Sequence, residues 1–176
     1  YMAGASHGDF GDSLKQRGRT VMDIITMKFP VSARVGGVSV LVALLLGVPL
    51  GCIAALKRGK FLDNLISVVS TCGIAVPSFV ICTLLLYFFG VRLQILPTMG
   101  LTSWKHYVMP VMALAFYPTA YIMRLMRSSM LDVLGQDYMR TAKAKGLAGG
   151  KILFKHALRN AILPVITYVG PLLAYT

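Results

Sequence analysis

The sequence predicts an all-α, polytopic transmembrane helix bundle, and three observations carry that prediction. Of 176 residues, 56% are hydrophobic and only 14% charged, where soluble domains carry about 25% charged residues. Uncharged runs of near-membrane length alternate with basic connections. Ten-residue stretches of alternating polarity, the mark of a membrane barrel, are not found. Helices are then the way to satisfy backbone polar groups in lipid.

The first run, 35–56, has 22 residues without a charge. As a helix it spans about 33 Å at 1.5 Å per residue, against about 30 Å of hydrocarbon. The second, 65–91, has 27 and must tilt or extend past the core. The third, 107–123, has 17, at the short end of the spanning range. The fourth, 161–176, is cut off by the last residue given. These make three complete spans and the start of a fourth, and the chain reads as an internal piece of a longer protein. Pro49, Pro77, Pro110 and Pro118 lie inside the runs, and each is expected to mark a kink. Ser67, Ser70, Thr71, Ser78 and Thr83 give the second run a polar side broken at Pro77. That side either lines a pathway or packs helix on helix, and packing is the commoner use. Gly47 and Gly51 stand at GxxxG spacing, again a packing signal.

Charge sets the orientation. The net charge is +12, and all six acids are Asp. Connection 57–64 holds Lys57, Arg58 and Lys60, and connection 124–160 holds eight basic residues. Connection 92–106 has only Arg92 and Lys105. The excess of Lys and Arg assigns 57–64 and 124–160 to the cytoplasm, and two intervening spans agree. Parity then puts 1–34 outside, despite its five basic residues. Within that segment, Val21, Ile24, Ile25 and Phe29 recur at helical spacing. Such a stretch suits either the outer membrane interface or contact with a protein outside.

Several function classes are excluded by inventory. Basic residues gathered between apolar runs do not make a nucleic-acid face. Cys52, Cys72 and Cys82 lie inside apolar runs and read as buried thiols, not metal ligands. There is no HExxH, GxSxG or GxxxxGK[ST]. Asp9 and Asp12 precede the first span, so they do not form an intramembrane acid pair.

The stretch 137–164, DYMRTAKAKGLAGGKILFKHALRNAILP, is the most informative. Asp137 suits an N-cap, 138–145 a two-turn helix, and Gly146 a left-handed stop. Tyr138 and Ala142 share a face at i, i+4. Lys143 and Lys145 lie near the negative end of the helix dipole. Residues 151–160 form a second helix running on through Pro164. An eight-residue helix is marginal alone and needs a partner surface; otherwise the stretch is a solvated basic loop.

Thr141-Ala142, Gly146 and Leu163-Pro164 resemble the conserved "EAA" cytoplasmic loop of ABC importer permeases. YMRTAKAKGL and FKHALRNAILPVIT resemble the peptide/nickel branch, in its oligopeptide-permease B-type subunits. GDFGDS at 8–13, FPVSARVG at 29–36, AVPSFV at 75–80 and ILPTMG at 95–100 fit the same branch, so the resemblance covers essentially the whole chain. Arg140 stands at the family's Glu position and Thr141 at its first Ala, and the spacing from Gly146 to Pro164 is longer than the general pattern.

The resemblance implies a type I ABC importer permease fold over 35–176, incomplete here, preceded by an extracytoplasmic segment 1–34. It implies a non-enzymatic permease subunit importing di- or oligopeptides or related small substrates. Tyr138, Arg140, Thr141, Ala142, Lys143, Lys145 and Gly146 would form the coupling helix that docks on an ATPase. Ser67, Ser70, Thr71, Pro77 and Ser78 are the candidate pathway or helix-packing residues. Implied partners are a second homologous permease subunit, two ATP-binding cassette subunits, an extracytoplasmic substrate-binding protein and membrane lipid, with no nucleic acid. No cofactor is expected on this chain, since ATP and Mg belong to the partner subunits. The location implied is a bacterial or archaeal cytoplasmic membrane. The alternative is a membrane scaffold that holds a cytoplasmic partner without transporting.

Overall fold

A computed structural model of the chain describes residues 10–13, 15, 16, 18–100 and 102–175; the side chains of Lys143, Lys151 and Tyr175 are outside that description. His7 and Asp9 also lie outside the described residues. Among the described residues the regular structure is helical, apart from one isolated bridge between Asp12 and Thr20.

Helix α1, Val21–Leu56, has 36 residues. It starts at a capping box: the Thr20 hydroxyl accepts from the Asp23 N–H at 3.1 Å, and the Asp23 carboxylate accepts from the Thr20 N–H at 3.2 Å. Two otherwise orphaned donors are thereby satisfied. Helix α2, Phe61–Ala75, follows a turn only four residues long, 57–60. Helix α3, Ser78–Leu85, continues into a π-helical stretch, Leu86–Arg92. Helix α4 is Lys105–Leu134 and α5 is Asp137–Ala144. Helix α6 is built of Gly149–Lys151, π-helical Ile152–Leu158 and Arg159–Ala161, and α7 is Leu163–Tyr175.

Long-range contacts fix the directions of the spans. Ser39 of α1 donates to the Val111 carbonyl of α4 at 3.3 Å, Gly47 lies against Thr119 and Ile122, and Gly51 against Met123 and Met126. Position rises together along both helices, so α1 and α4 run parallel. Asp63 of α2 pairs with Arg127, while Gly73 meets Ala120 and Phe116. Position falls along α4 as it rises along α2, so these two are antiparallel. The turn 57–60 and the C-terminal end of α4 therefore share one end of the bundle, as the charge pattern predicts.

The GxxxG pair is the reason α1 and α4 pack closely. A Cβ on Gly51 would stand 2.6 Å from the Met123 carbonyl oxygen and 2.7 Å from the Met126 Cβ; one on Gly47 would stand 2.8 Å from Ile122. Lipid offers no hydrophobic drive for helix association, so this approach of backbones supplies it through dispersion. Val40, Ala43, Ile122, Met126 and Met130 are buried around the seam.

Several boundaries differ from expectation. Helix α4 extends three turns past residue 123, so the basic connection begins as helix and carries Arg124 and Arg127 on it. The second run is not one straight span: α2 and α3 meet at a bend of 98°. Pro77 has no N–H to continue the ladder, and it caps α3 in extended conformation. By contrast Pro49, Pro110 and Pro118 sit inside unbroken helices. With each bent pair taken as one span, up to four helical units are long and apolar enough to cross a membrane. Helix α1 crosses the 34/35 boundary without interruption. Because Ser39 is level with Val111, the first dozen or so residues of α1 project about 18 Å beyond the start of α4. The 21–29 stretch is thus the end of a span helix, with Phe29 and Met27 exposed. Cys52 is half-buried, while Cys72 and Cys82 are exposed, because α2 and α3 turn outward faces that none of the described helices covers.

Gly51→Leu is expected to lower stability in detergent by about 1–3 kcal/mol, the cost of overpacking, or to prevent assembly. Gly37→Leu, where an added Cβ meets nothing within 4 Å, is the matched control and should leave the melting temperature almost unchanged. Equal effects of the two would mean that the seam is not tight.

Candidate functional site

At the basic end, Asp63 stands in the first turn of α2 with its side chain 3% exposed. Arg127 reaches it from α4 in a fork, Nε at 2.5 Å and Nη2 at 2.9 Å. The Gly59 N–H donates to the same carboxylate at 2.9 Å, and the Ser67 hydroxyl lies 3.5 Å away. Two-pronged geometry of this kind is the strong form of an ion pair. It ties the turn 57–60, the start of α2 and the end of α4 into one unit. The sequence reading passed over it: Asp63 was one residue of a short loop and Arg127 one of eight cations. Positions 64 apart leave no spacing signal, though a lone acid beside Lys57, Arg58 and Lys60 was a usable hint.

Beyond Arg127 comes the charged stretch. Helix α5 opens at Asp137 itself, whose exposed carboxylate lies 3.8 Å from Arg140 instead of capping from outside the helix. Met139 and Ala142 are 1% and 8% exposed, and they join Ile152, Ala157 and Ala161 in the core. Tyr138 is half exposed, and its hydroxyl accepts from Asn160 Nδ2 at 3.2 Å. On the face that Tyr138 and Ala142 share, Ala142 is the buried member and seats α5 on α6. Arg140, Thr141 and Lys145 are outward and exposed. The Lys143 side chain is outside the described residues.

Gly146 ends the helix as its sequence position suggests. Its φ is +70°, and the Leu147 N–H donates to the Ala142 carbonyl at 3.4 Å. That is the six-to-one bond of a Schellman stop. Nothing lies within 4 Å of an added Cβ, so a side chain here would meet only backbone strain, about 1–2 kcal/mol.

The candidate pathway residues divide into two groups. The Ser70 and Thr71 hydroxyls donate to the Ser67 carbonyl at 3.0 and 2.8 Å, and Ser67 belongs to the ion-pair cluster. These three satisfy their own helix. Pro77 and Ser78, at the 98° bend, instead line a cavity of about 840 Å³ bounded by Tyr117 and Pro118 of α4 and Tyr168 and Pro171 of α7. Sequence reasoning missed the tyrosines. Tyr121 joins them behind the wall, with ring centroids 4.5 Å from Tyr168 and 6.3 Å from Tyr117. A second cavity of about 550 Å³ lies toward the 93–104 connection and includes Thr83, Thr98 and His106. Among the described residues, no three His, Cys, Asp or Glu side chains are grouped to hold a metal.

A bundle of apolar helices with a small capped helix at its basic end is the architecture of a membrane permease, and comparison with known proteins agrees. The chain belongs to the family of binding-protein-dependent transport system inner membrane components, whose model matches residues 47–176. It is 49% identical over 166 residues to the dipeptide transport system permease protein DppB of Bacillus subtilis, covering 94% of this chain and 54% of that protein. It is 42% identical over 173 residues to the oligopeptide transport system permease protein OppB of Salmonella typhimurium, covering 97% and 56%. OppB of Haemophilus influenzae is likewise 42% identical, over 97% and 56%. The chain thus spans about half the length of the curated relatives it matches.

Asp63→Asn or Arg127→Gln should each destabilise the bundle by about 3 kcal/mol, the low end for a broken buried pair because the Arg127 side chain is 31% exposed. The exchange Asp63→Arg with Arg127→Asp should recover part of that loss. Additive losses in thermal unfolding would show that the pair contributes no coupling energy.

Proposed function

We propose that this chain is the transmembrane part of an ATP-driven importer for di- or oligopeptides or related small substrates. The observation that carries the reading is α5. Met139 and Ala142 seat it on its own chain, while Arg140, Thr141 and Lys145 face outward. A helix of eight residues, held by its apolar side and offered by its polar side, suits a fixed attachment on a larger partner. The basic residues beside it put that partner in the cytoplasm by the positive-inside rule. The names of the similar permeases supply the substrate class, since they are dipeptide and oligopeptide transport proteins.

In this reading ATP and Mg are held by two cytoplasmic ATPase subunits. Closure of those subunits moves α5. Because Met139, Ala142 and the Tyr138–Asn160 bond fasten α5 to α6, the movement passes into α7 and, through the packed end of α4, into the rest of the bundle. Selection begins on an extracytoplasmic binding protein, and a second permease subunit completes the route. Residues 1–34, including the free end of α1, belong to the outer side.

Single cysteines at Tyr138, Thr141 and Ala142, in the assembled transporter in lipid nanodiscs, test the arrangement. Cross-links from Tyr138→Cys and Thr141→Cys to the ATPase, with a yield that changes on adding ATP, are expected; the inward Ala142→Cys should give none. Stable complexes without any cross-link at 138 and 141 would leave a solvated connection and favour the scaffold alternative. Gly146→Val should abolish uptake while ATP hydrolysis and membrane levels persist, and undiminished uptake would remove α5 from the coupling route.

A further inference from the structure

The cavity at the 98° bend and the cavity toward the 93–104 connection share three lining residues: Ser78 and Phe79 on one wall and Leu114 on the other. We propose that Phe79 and Leu114 form the constriction between an inner and an outer vestibule of the transport route, and that this constriction selects by size and not by charge. The proposal rests on the importer reading above.

Four observations support it. The two cavities adjoin at the residues common to both, Ser78, Phe79 and Leu114. Their volumes, about 840 and 550 Å³, suit small organic solutes, which occupy pockets of roughly 300–1,000 Å³. Phe79 is 71% exposed and Leu114 39%, so neither side chain is locked by packing within this chain. Phe79 is also the second residue of α3, directly after the bend, so its position relative to α4 depends on the bend angle.

The chemistry of the walls sets what can be discriminated. Neither cavity is lined by Asp, Lys or Arg, and His106 lies only in the outer one. An aromatic ring opposite a leucine excludes by bulk. Ser78 supplies the polar element. Among the described residues its hydroxyl has no side-chain hydrogen bond, whereas those of Ser70, Thr71 and Thr83 are bonded to their own helices. The Ser78 hydroxyl is therefore free to bond a passing amide.

Thiol accessibility tests the constriction without knowing the substrate. In the assembled transporter, with Cys52→Ser, Cys72→Ser and Cys82→Ser, a single cysteine is placed at Thr98, in the outer cavity, or at Tyr117, in the inner one. A membrane-impermeant methanethiosulfonate is added from outside. Thr98→Cys should react in every background. Tyr117→Cys should react slowly, and several-fold faster when Phe79→Ala or Leu114→Ala is added from either wall. Equal rates with and without both alanine substitutions overturn the constriction, and so does an unreactive Thr98→Cys. Failure of the importer reading shows separately, as absence of ATP-driven uptake of a mixed dipeptide pool by the unsubstituted complex, and that result also overturns the assignment of the cavities to a transport route.

Discussion

The contact of two helices, one of which carries glycine where they touch, decides the arrangement of the others. Along the seam of α1 and α4, Gly47 and Gly51 let backbone approach backbone so closely that a single methyl group has no room. Dispersion forces fall steeply with a small gap, and in lipid there is little else to hold helices together. The seam fixes α1 parallel to α4, which obliges the chain between them to return. That return is α2, and it is held at its start by the Asp63–Arg127 fork. Polar chemistry at the end of the bundle and apolar contact through its middle thus do different work. The fork gives direction and register; the glycines give proximity.

Hydroxyl groups along the spans follow the same economy. Ser39, Thr71, Thr83, Thr119 and Thr167 each donate to a carbonyl four residues back. A donor satisfied locally costs little in hydrocarbon, where an unsatisfied one costs several kcal/mol, roughly. Ser39 alone of these also reaches another helix, at Val111. Polarity in a span is therefore a poor guide to a pathway. The cavity walls are defined instead by a break in the backbone and by aromatic rings.

This explains what could be read from the sequence and what could not. The helical membrane class, the glycine seam, the matching of the two basic ends and the Gly146 stop all rest on local pattern or on short spacing. Helix α4 outruns its uncharged run of 107–123, because Arg124 and Arg127 mark the end of its apolar part and not of the helix. The inward turn of Ala142 was hidden because a short helix has two candidate faces, and only packing on α6 chooses between them. Asp63 with Arg127, and Tyr117 with Tyr168, are contacts between residues far apart in the chain, and a single sequence does not encode such pairs by spacing. Cys72 and Cys82 looked buried because apolar neighbours in sequence say nothing about which face they share.

The projecting end of α1 has a mechanical consequence. From the capped start at Thr20 to Gly51 there is no interruption in the hydrogen-bond ladder sufficient to end the helix, even at Pro30. The exposed Met22, Ile25, Met27 and Phe29 are therefore on the same rod as the glycines of the seam. A sideways push on that projecting end is a torque about the stretch where α1 meets α4, with an arm of about 18 Å beyond the start of α4. The helix works as a lever, and its contact with α4 is the fulcrum.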